Sequence, residues 1–233
     1  MLHTEETVRA GIRVKDGSRV YYLPEGDRLT PSARDWLRNE NVRILRPQDA
    51  PPKVYTTLSG GTLAGKPEHM THLYGNVLVP KDHPRIAFRG IIDALEAEIL
   101  LCQSTAAQEK HTELVRALQE ILDFVRSLIR ADVLGEPVAE VKLCGLDAQA
   151  LREHSHHPEK YYGQPHFMPS YTDGPTLLQL NRVRTLVRQT ELACYRAFSD
   201  RDGAVTREDM ILALNRLSSL CWILMIRCKA NQL

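Results

Sequence analysis

The chain has 233 residues, 43% of them hydrophobic, enough for one substantial core with a small appendage, which excludes disorder as the default state. Thirty Lys and Arg against twenty-nine Asp and Glu leave a formal charge of +1, so the overall balance gives no reason to expect nucleic acid or a charged membrane surface; any anion site must be local. Cys102, Cys144, Cys194, Cys221 and Cys228 are odd in number, scattered and without a CxxC, which argues against a disulfide framework or thiolate cage and for reduced, mostly buried thiols.

The N-terminal segment MLHTEETVRAGIRVKDG carries acids and has no apolar signal core, and no uninterrupted apolar run of about 18 residues follows, so neither export nor membrane insertion is expected. The cytoplasm is the simplest compartment. Residues 18–46 read as strand, helix, strand: RVYYL, a helix opened by Thr30 as N-cap with Pro31 in its first turn, then VRIL. Residues 1–49 thus form a small module, too small to hold a pocket by itself. Pro, Gly, Ser and Thr concentrate from 47 to 66, which places a linker or loop at 50–66 and the main domain at 67–233. From Pro84 the spacing predicts helices over 84–103, with Asp82 as cap, and over 107–132, with apolar positions at 114, 118, 121, 122, 125, 128 and 129. Further helices follow over 147–154, 176–199 and 207–229, the last opened by Thr206 with Asp209 in its first turn. Five helices with little strand between them predict a mainly α, five-helix bundle with a small N-terminal α+β appendage.

In the helix over 176–199, Asn181, Arg184, Arg188 and Glu191 follow steps of three, four and three and share one stripe. The stripe reads either as a solvated face with a local Arg–Glu pair or as a phosphate clamp, since guanidinium forks match phosphate oxygens. Asn215 lies in LALNRLSSLCWILMI, apolar nearly all round beyond Ser219, so it is either a satisfied core amide or a ligand contact. Asp93 poses the same question, with Arg89 one turn earlier as a local partner. GGTLAGK at 60–66 fits a phosphate-loop pattern, but Pro67 replaces the hydroxyl residue that would hold magnesium and no strong strand precedes it. Asp200, Asp202 and Gly203 resemble part of a calcium loop, yet Phe198 stands where the first ligand should and no Glu closes the loop; an ordinary turn is expected. HSHHPEKYYGQPHF, with His154, His156, His157 and His166, matches no standard metal cage, and Pro158 interrupts any helix there, so surface loop or pocket lining is favoured.

KPEHMTHLYG at 66–75, LVPKDHPRIAFRGIIDALEAEI at 78–99, YYGQPHFMP at 161–169, LNRVRTLVRQTE at 180–191 and LNRLSS at 214–219, with LTPSARDWL at 29–37, resemble in order the ethanolamine-utilisation corrinoid adenosyltransferase family. The chain is similar, more distantly, to the propanediol-utilisation type, whose five-helix bundle matches the helix count. The resemblance implies transfer of the 5′-deoxyadenosyl group of ATP to the cobalt of cob(I)alamin, with release of triphosphate, and moves the stripe toward the clamp reading. It implies ATP contacts for Arg188, Glu191 and Asn215, a phosphate contact for Lys81, and weaker assignments for Lys66, Thr71 and His72; the relatives' glycine-rich phosphate loop falls at Thr71, where this chain has no such glycines. It implies that Asp93 and Arg184 bridge neighbouring subunits at the active site, and that Phe167 packs under the corrin and excludes its lower axial ligand. With Phe167, these two form the expected catalytic set. Magnesium accompanies ATP, cobalamin is the second substrate, a flavin-type reductase is an expected electron donor, and a homo-oligomer, dimer or trimer, is expected, with neither nucleic acid nor membrane as partner. The setting implied is cytoplasmic, with association to a bacterial microcompartment. Some relatives carry a His followed by three closely spaced Cys just before the KPE motif; this chain has no Cys between residues 1 and 101, so no protein-bound iron or zinc is expected. The alternatives are a non-catalytic corrinoid or nucleotide-binding regulator on the same bundle and a purely structural adaptor.

Overall fold

The computed structural model describes residues 1–15, 17–46, 54–200 and 202–233. The chain divides into two compact units, Met1–Tyr55 with Thr62–Gly65, and Thr56–Gly61 with Lys66–Leu233.

The first unit holds β1 (Leu2–His3), α1 (Glu5–Ala10), β2 (Arg13–Lys15), β3 (Ser18–Tyr22), β4 (Arg28–Leu29), α2 (Pro31–Asn39) and β5 (Arg43–Leu45). The predicted strand, helix, strand unit is present: β3 runs parallel to β5, with Tyr21 opposite Ile44, and α2 crosses between them. Thr30 caps α2 by accepting a hydrogen bond from the Ala33 N–H at 3.3 Å, and Pro31 costs nothing where the N–H has no helical partner. Val8, Tyr21, Ala33 and Leu37 close a small core. The six residues of α1 and three of β2 are too short to leave a periodic signal in sequence. Residues 47–53, where the expected linker begins, lie outside the described residues. The remainder of that stretch carries two short strands, β6 (Tyr55–Thr57) and β7 (Thr62–Leu63).

The second unit opens with the antiparallel hairpin β8 (Met70–Tyr74) and β9 (Val77–Pro80), which places Thr71 opposite Val79. It continues with α3 (Pro84–Gln108), α4 (Thr112–Leu134), the hairpin β10 (Lys142–Leu143) and β11 (Leu146–Asp147), α5 (Ala148–His156), α6 (Pro158–Tyr162), α7 (Pro175–Phe198) and α8 (Glu208–Lys229). The mainly α fold is the one predicted. On α3, Phe88, Ile92, Leu95, Ile99, Cys102 and Ala106 recur at steps of four and three and are fully buried, facing α4 and α7. Helix α7 packs on both α3 and α8, and α5 packs on α8, so these five helices share one core. Helix α8 is long and apolar enough to cross a membrane, the one such helix among the described residues. In the bundle Met210, Leu214, Leu217, Cys221, Leu224 and Met225 of that helix are buried against its neighbours.

Several helix ends differ from expectation. His83, not Asp82, caps α3, its Nδ1 accepting from the Arg85 N–H at 3.2 Å. Helix α3 runs on to Gln108 and the chain breaks at Lys110, whose φ of 64° is left-handed, so α4 starts at Thr112 and not at 107. Thr206 does not cap α8; its hydroxyl donates to the Phe198 carbonyl at 3.0 Å and ties the end of α7 to the turn. Pro158 interrupts the helical stretch as expected, α5 ending at His156, and it also opens α6, where its missing N–H is not needed. Asp200 forms an ordinary turn, Oδ1 accepting from the Asp202 and Ala204 N–H groups, each at 2.9 Å.

Candidate active site

Phe167 from the segment after α6, Asn181, Arg184 and Arg188 from α7, and Ser218, Ser219 and Trp222 from α8 line one cavity of about 680 Å³. Steps of three and four bring these α7 side chains onto one face, as the sequence requires, while Glu191, three residues on, lines a separate cavity with Asn215. Phe167 stacks on Trp222 with ring centroids 5.3 Å apart and planes 22° from parallel. His166 stacks on the same indole at 5.7 Å and 12°. The Trp222 Nε1–H donates to His166 Nδ1 at 3.2 Å, which leaves the proton on Nε2, and that N–H donates to the His156 carbonyl at 3.3 Å. The result is a fixed aromatic wall.

Arg184 lies over the Trp222 ring, 5.6 Å from its centroid, and is held by Asn181 Oδ1 at 3.0 and 3.3 Å. Burial, and after it the Arg188 charge, lower the Arg184 guanidinium from its ordinary pKa. Arg188 is exposed and has no hydrogen bond or ion pair among the described residues. The local Arg188–Glu191 pair expected of a merely solvated face does not form; Glu191 Oε1 instead accepts from Asn215 Nδ2 at 3.1 Å, across from α7 to α8. Two cations without a carboxylate beside an aromatic wall suit an anionic ligand with a flat apolar partner.

The other expected residues stand apart from this group. Lys81 is exposed and pairs with Glu68 at 3.2 Å; Thr71 sits half-buried on β8; Lys66 and His72 are exposed. Among the described residues no hydrogen bond or ion pair joins Lys66, Thr71 or Lys81 to the α7 and α8 residues. Asp93 is exposed on α3 and is not paired with Arg184 in the same chain. Nor does Arg89 serve as its partner: Arg89 Nε donates to Asp132 Oδ2 at 2.6 Å, and Arg85 Nε donates to Asp132 Oδ1 at 2.9 Å. Asp132 is fully buried on α4 and draws both arginines inward, which leaves Asp93 facing solvent.

A model of the cobalamin adenosyltransferase family matches residues 62–228. The chain belongs to this family. It is 32% identical over 252 residues to a corrinoid adenosyltransferase EutT of Escherichia coli, covering 98% of this chain and 92% of that protein. It is 32% identical over 246 residues to the corrinoid adenosyltransferase EutT of Salmonella typhimurium, covering 96% and 90%. The chain is therefore an EutT-type adenosyltransferase of corrinoids, as the ordered motifs implied.

Trp222, on which Phe167 and His166 both stack in this cavity, is absent from the sequence reading. It lies inside an apolar run where it looks like core, and its distinguishing signal is the i, i+4 step from Ser218, the start of a polar line on an otherwise apolar helix. The histidine stretch lines a pocket: His156, His157 and His166 border a neighbouring cavity of about 520 Å³. His154 is engaged elsewhere, bonded to the Tyr162 hydroxyl at 2.8 Å and stacked on Tyr161. Among the described residues no three His, Cys, Asp or Glu side chains are gathered in a metal-binding group. All five cysteines are free. Burial pushes Cys102, Cys144, Cys194 and Cys221 up to about 12, and raises Cys228 as well.

Proposed function

We propose that the corrin lies against the Phe167 and Trp222 wall and that ATP lies along Arg188, Glu191 and Asn215. The observation that carries this reading is the junction of a locked aromatic surface with unneutralised guanidinium groups in one cavity. An aromatic ring under the metal offers no lone pair to the lower axial position. Cobalt(II) without that ligand accepts an electron more readily, because the orbital that receives it is no longer raised by a donor. The resulting cobalt(I) attacks C5′ of ATP, the C5′–O bond breaks, and triphosphate leaves from the opposite side with the bonding pair. No proton needs to move, so the protein's tasks are in-line positioning and neutralisation of the leaving charge. Arg188 supplies the second directly. Lys81, with Thr71 and Lys66, supplies further phosphate contacts from the hairpin region, and Asp93 reaches Arg184 of a neighbouring copy in a homo-oligomer, dimer or trimer.

Magnesium enters with ATP as part of that substrate. A flavin-type reductase delivers the electron in the cytoplasm, beside or within a microcompartment, and adenosylcobalamin serves ethanolamine breakdown, a role that the EutT name of the relatives supports. The test is anaerobic incubation with cob(I)alamin and ATP, followed by absorbance. Conversion to adenosylcobalamin with one triphosphate released per turnover is expected. Binding of both ligands without transfer would make the protein a regulator, and a melting temperature indifferent to ATP would make it an adaptor.

A further inference from the structure

Phe167 touches a second group besides Trp222: the Lys229 ammonium lies over its ring, 5.7 Å from the centroid. Lys229 is the last residue of α8, where a cation is favoured by the helix carbonyls. Its ammonium is bound by Asp173, whose side chain is only 2% exposed. Asp173 belongs to the same connecting segment as Phe167, and its other oxygen accepts from the Ser170 N–H at 2.6 Å. The segment that carries Phe167 is thus tied down just beyond it, by an ion pair to the helix that also supplies Trp222.

We propose that the Asp173–Lys229 pair is a positioning latch for the corrin wall: it fixes the 167–173 segment to α8 and holds the Phe167 ring against the Trp222 indole. The proposal rests on the reading of Phe167 given above. A wall that excludes an axial ligand must resist displacement, since a shift of about 1 Å in a positioned group is costly to rate. Stacking alone leaves the ring free to slide along the indole. The cation over its face and the buried carboxylate behind that cation restrict this motion. The latch acts on the reaction only through Phe167.

The experiment compares Lys229→Met, Asp173→Asn, Lys229→Arg and Phe167→Ala in full-length protein. Each is assayed on two routes, from cobalt(II)alamin with a chemical reductant and from pre-reduced cob(I)alamin, with KM for ATP and the electron paramagnetic resonance spectrum of bound cobalt(II). Met keeps the length and apolar stem of Lys229, and Asn keeps an acceptor for the Ser170 N–H. Lys229→Met and Asp173→Asn are expected to slow the cobalt(II) route about tenfold, the size of one charge-assisted contact. The cobalt(I) route and KM for ATP should change by less than about twofold, and the signal of four-coordinate cobalt(II) should shrink. Lys229→Arg should restore the wild-type spectrum, and the double variant should be no worse than either single one. Equal slowing of both routes, or no slowing of either, would reduce the pair to a structural tie. If Phe167→Ala itself shows no preference for cobalt(I), the reading of Phe167 fails and the latch with it; if Phe167→Ala shows it and the latch variants do not, only the latch fails.

Discussion

Arg188 and Phe167 meet the same cavity with opposite chemistry, so their variants should separate the two substrates. Among the described residues Arg188 has no carboxylate partner, which leaves its full guanidinium for an incoming phosphate. Arg188→Ala should raise KM for ATP and lower kcat/KM about 10- to 100-fold, the cost of one charged hydrogen-bonding contact, and pre-reduced cobalt(I) should not restore it. Phe167→Ala should leave KM for ATP nearly unchanged and recover on cobalt(I), since pre-reduced cobalt already tends to shed its axial ligand. Steady-state kinetics on both cobalt states check the pair of expectations, and equal recovery of the two variants would contradict the division. Asn215 is a satisfied amide within the chain: its Nδ2 donates to Glu191 Oε1 at 3.1 Å and its Oδ1 accepts from Arg216 at 2.9 Å.

At the level of elements, Asp132 is the strongest tie between α3 and α4. One fully buried carboxylate serves two arginines, a geometry in which removal of the anion strands two cations. Asp132→Ala should therefore cost about 3–5 kcal/mol of stability, read from the urea midpoint at an unchanged slope. It should also release Arg89 toward Asp93 one turn away on α3. The α8 start carries a second tie with a pH signature. Arg207 binds Asp209 at 2.9 Å, and the Val138 N–H donates to the same carboxylate, also at 2.9 Å. The Arg207 hydrogen bond comes first among the causes that hold Asp209 at about 2 against an ordinary 3.8. A carboxyl lowered on folding contributes stability that is complete above its unfolded value and is lost as pH falls toward the folded one. Asp209→Asn should accordingly flatten the loss of stability between about pH 4 and pH 2, and leave the alkaline side unchanged, in thermal melts across that range.

Across the whole molecule, the exposed Asp93 and the half-buried Arg184 have complementary charges and no mutual contact within one chain, which fits a bond made between copies. Asp93→Asn and Arg184→Ala should each lower activity and weaken assembly in sedimentation, with strong coupling in a double-mutant cycle; simple additivity would mean that they are not partners. What the sequence made legible follows from range. The faces of α3, α4, α5, α7 and α8 and the Arg184, Arg188, Glu191 stripe are local patterns with steps of three and four, and they could be read directly, whereas the five residues of α6 could not. The Asp132 ties span 43 and 47 residues and the latch at Lys229 spans 56, and such pairings leave no local trace. Caps failed where a neighbour took the hydroxyl, as at Thr206. The cysteines carry a last consequence. Thiols pushed up to about 12 are almost wholly protonated near neutrality, so they make poor nucleophiles and poor metal donors. Iodoacetamide at pH 8 should label the folded protein slowly and the urea-unfolded protein fast. An enzyme that generates a supernucleophile beside an alkylating carbon thereby keeps its own thiols in their unreactive, protonated form while that chemistry proceeds.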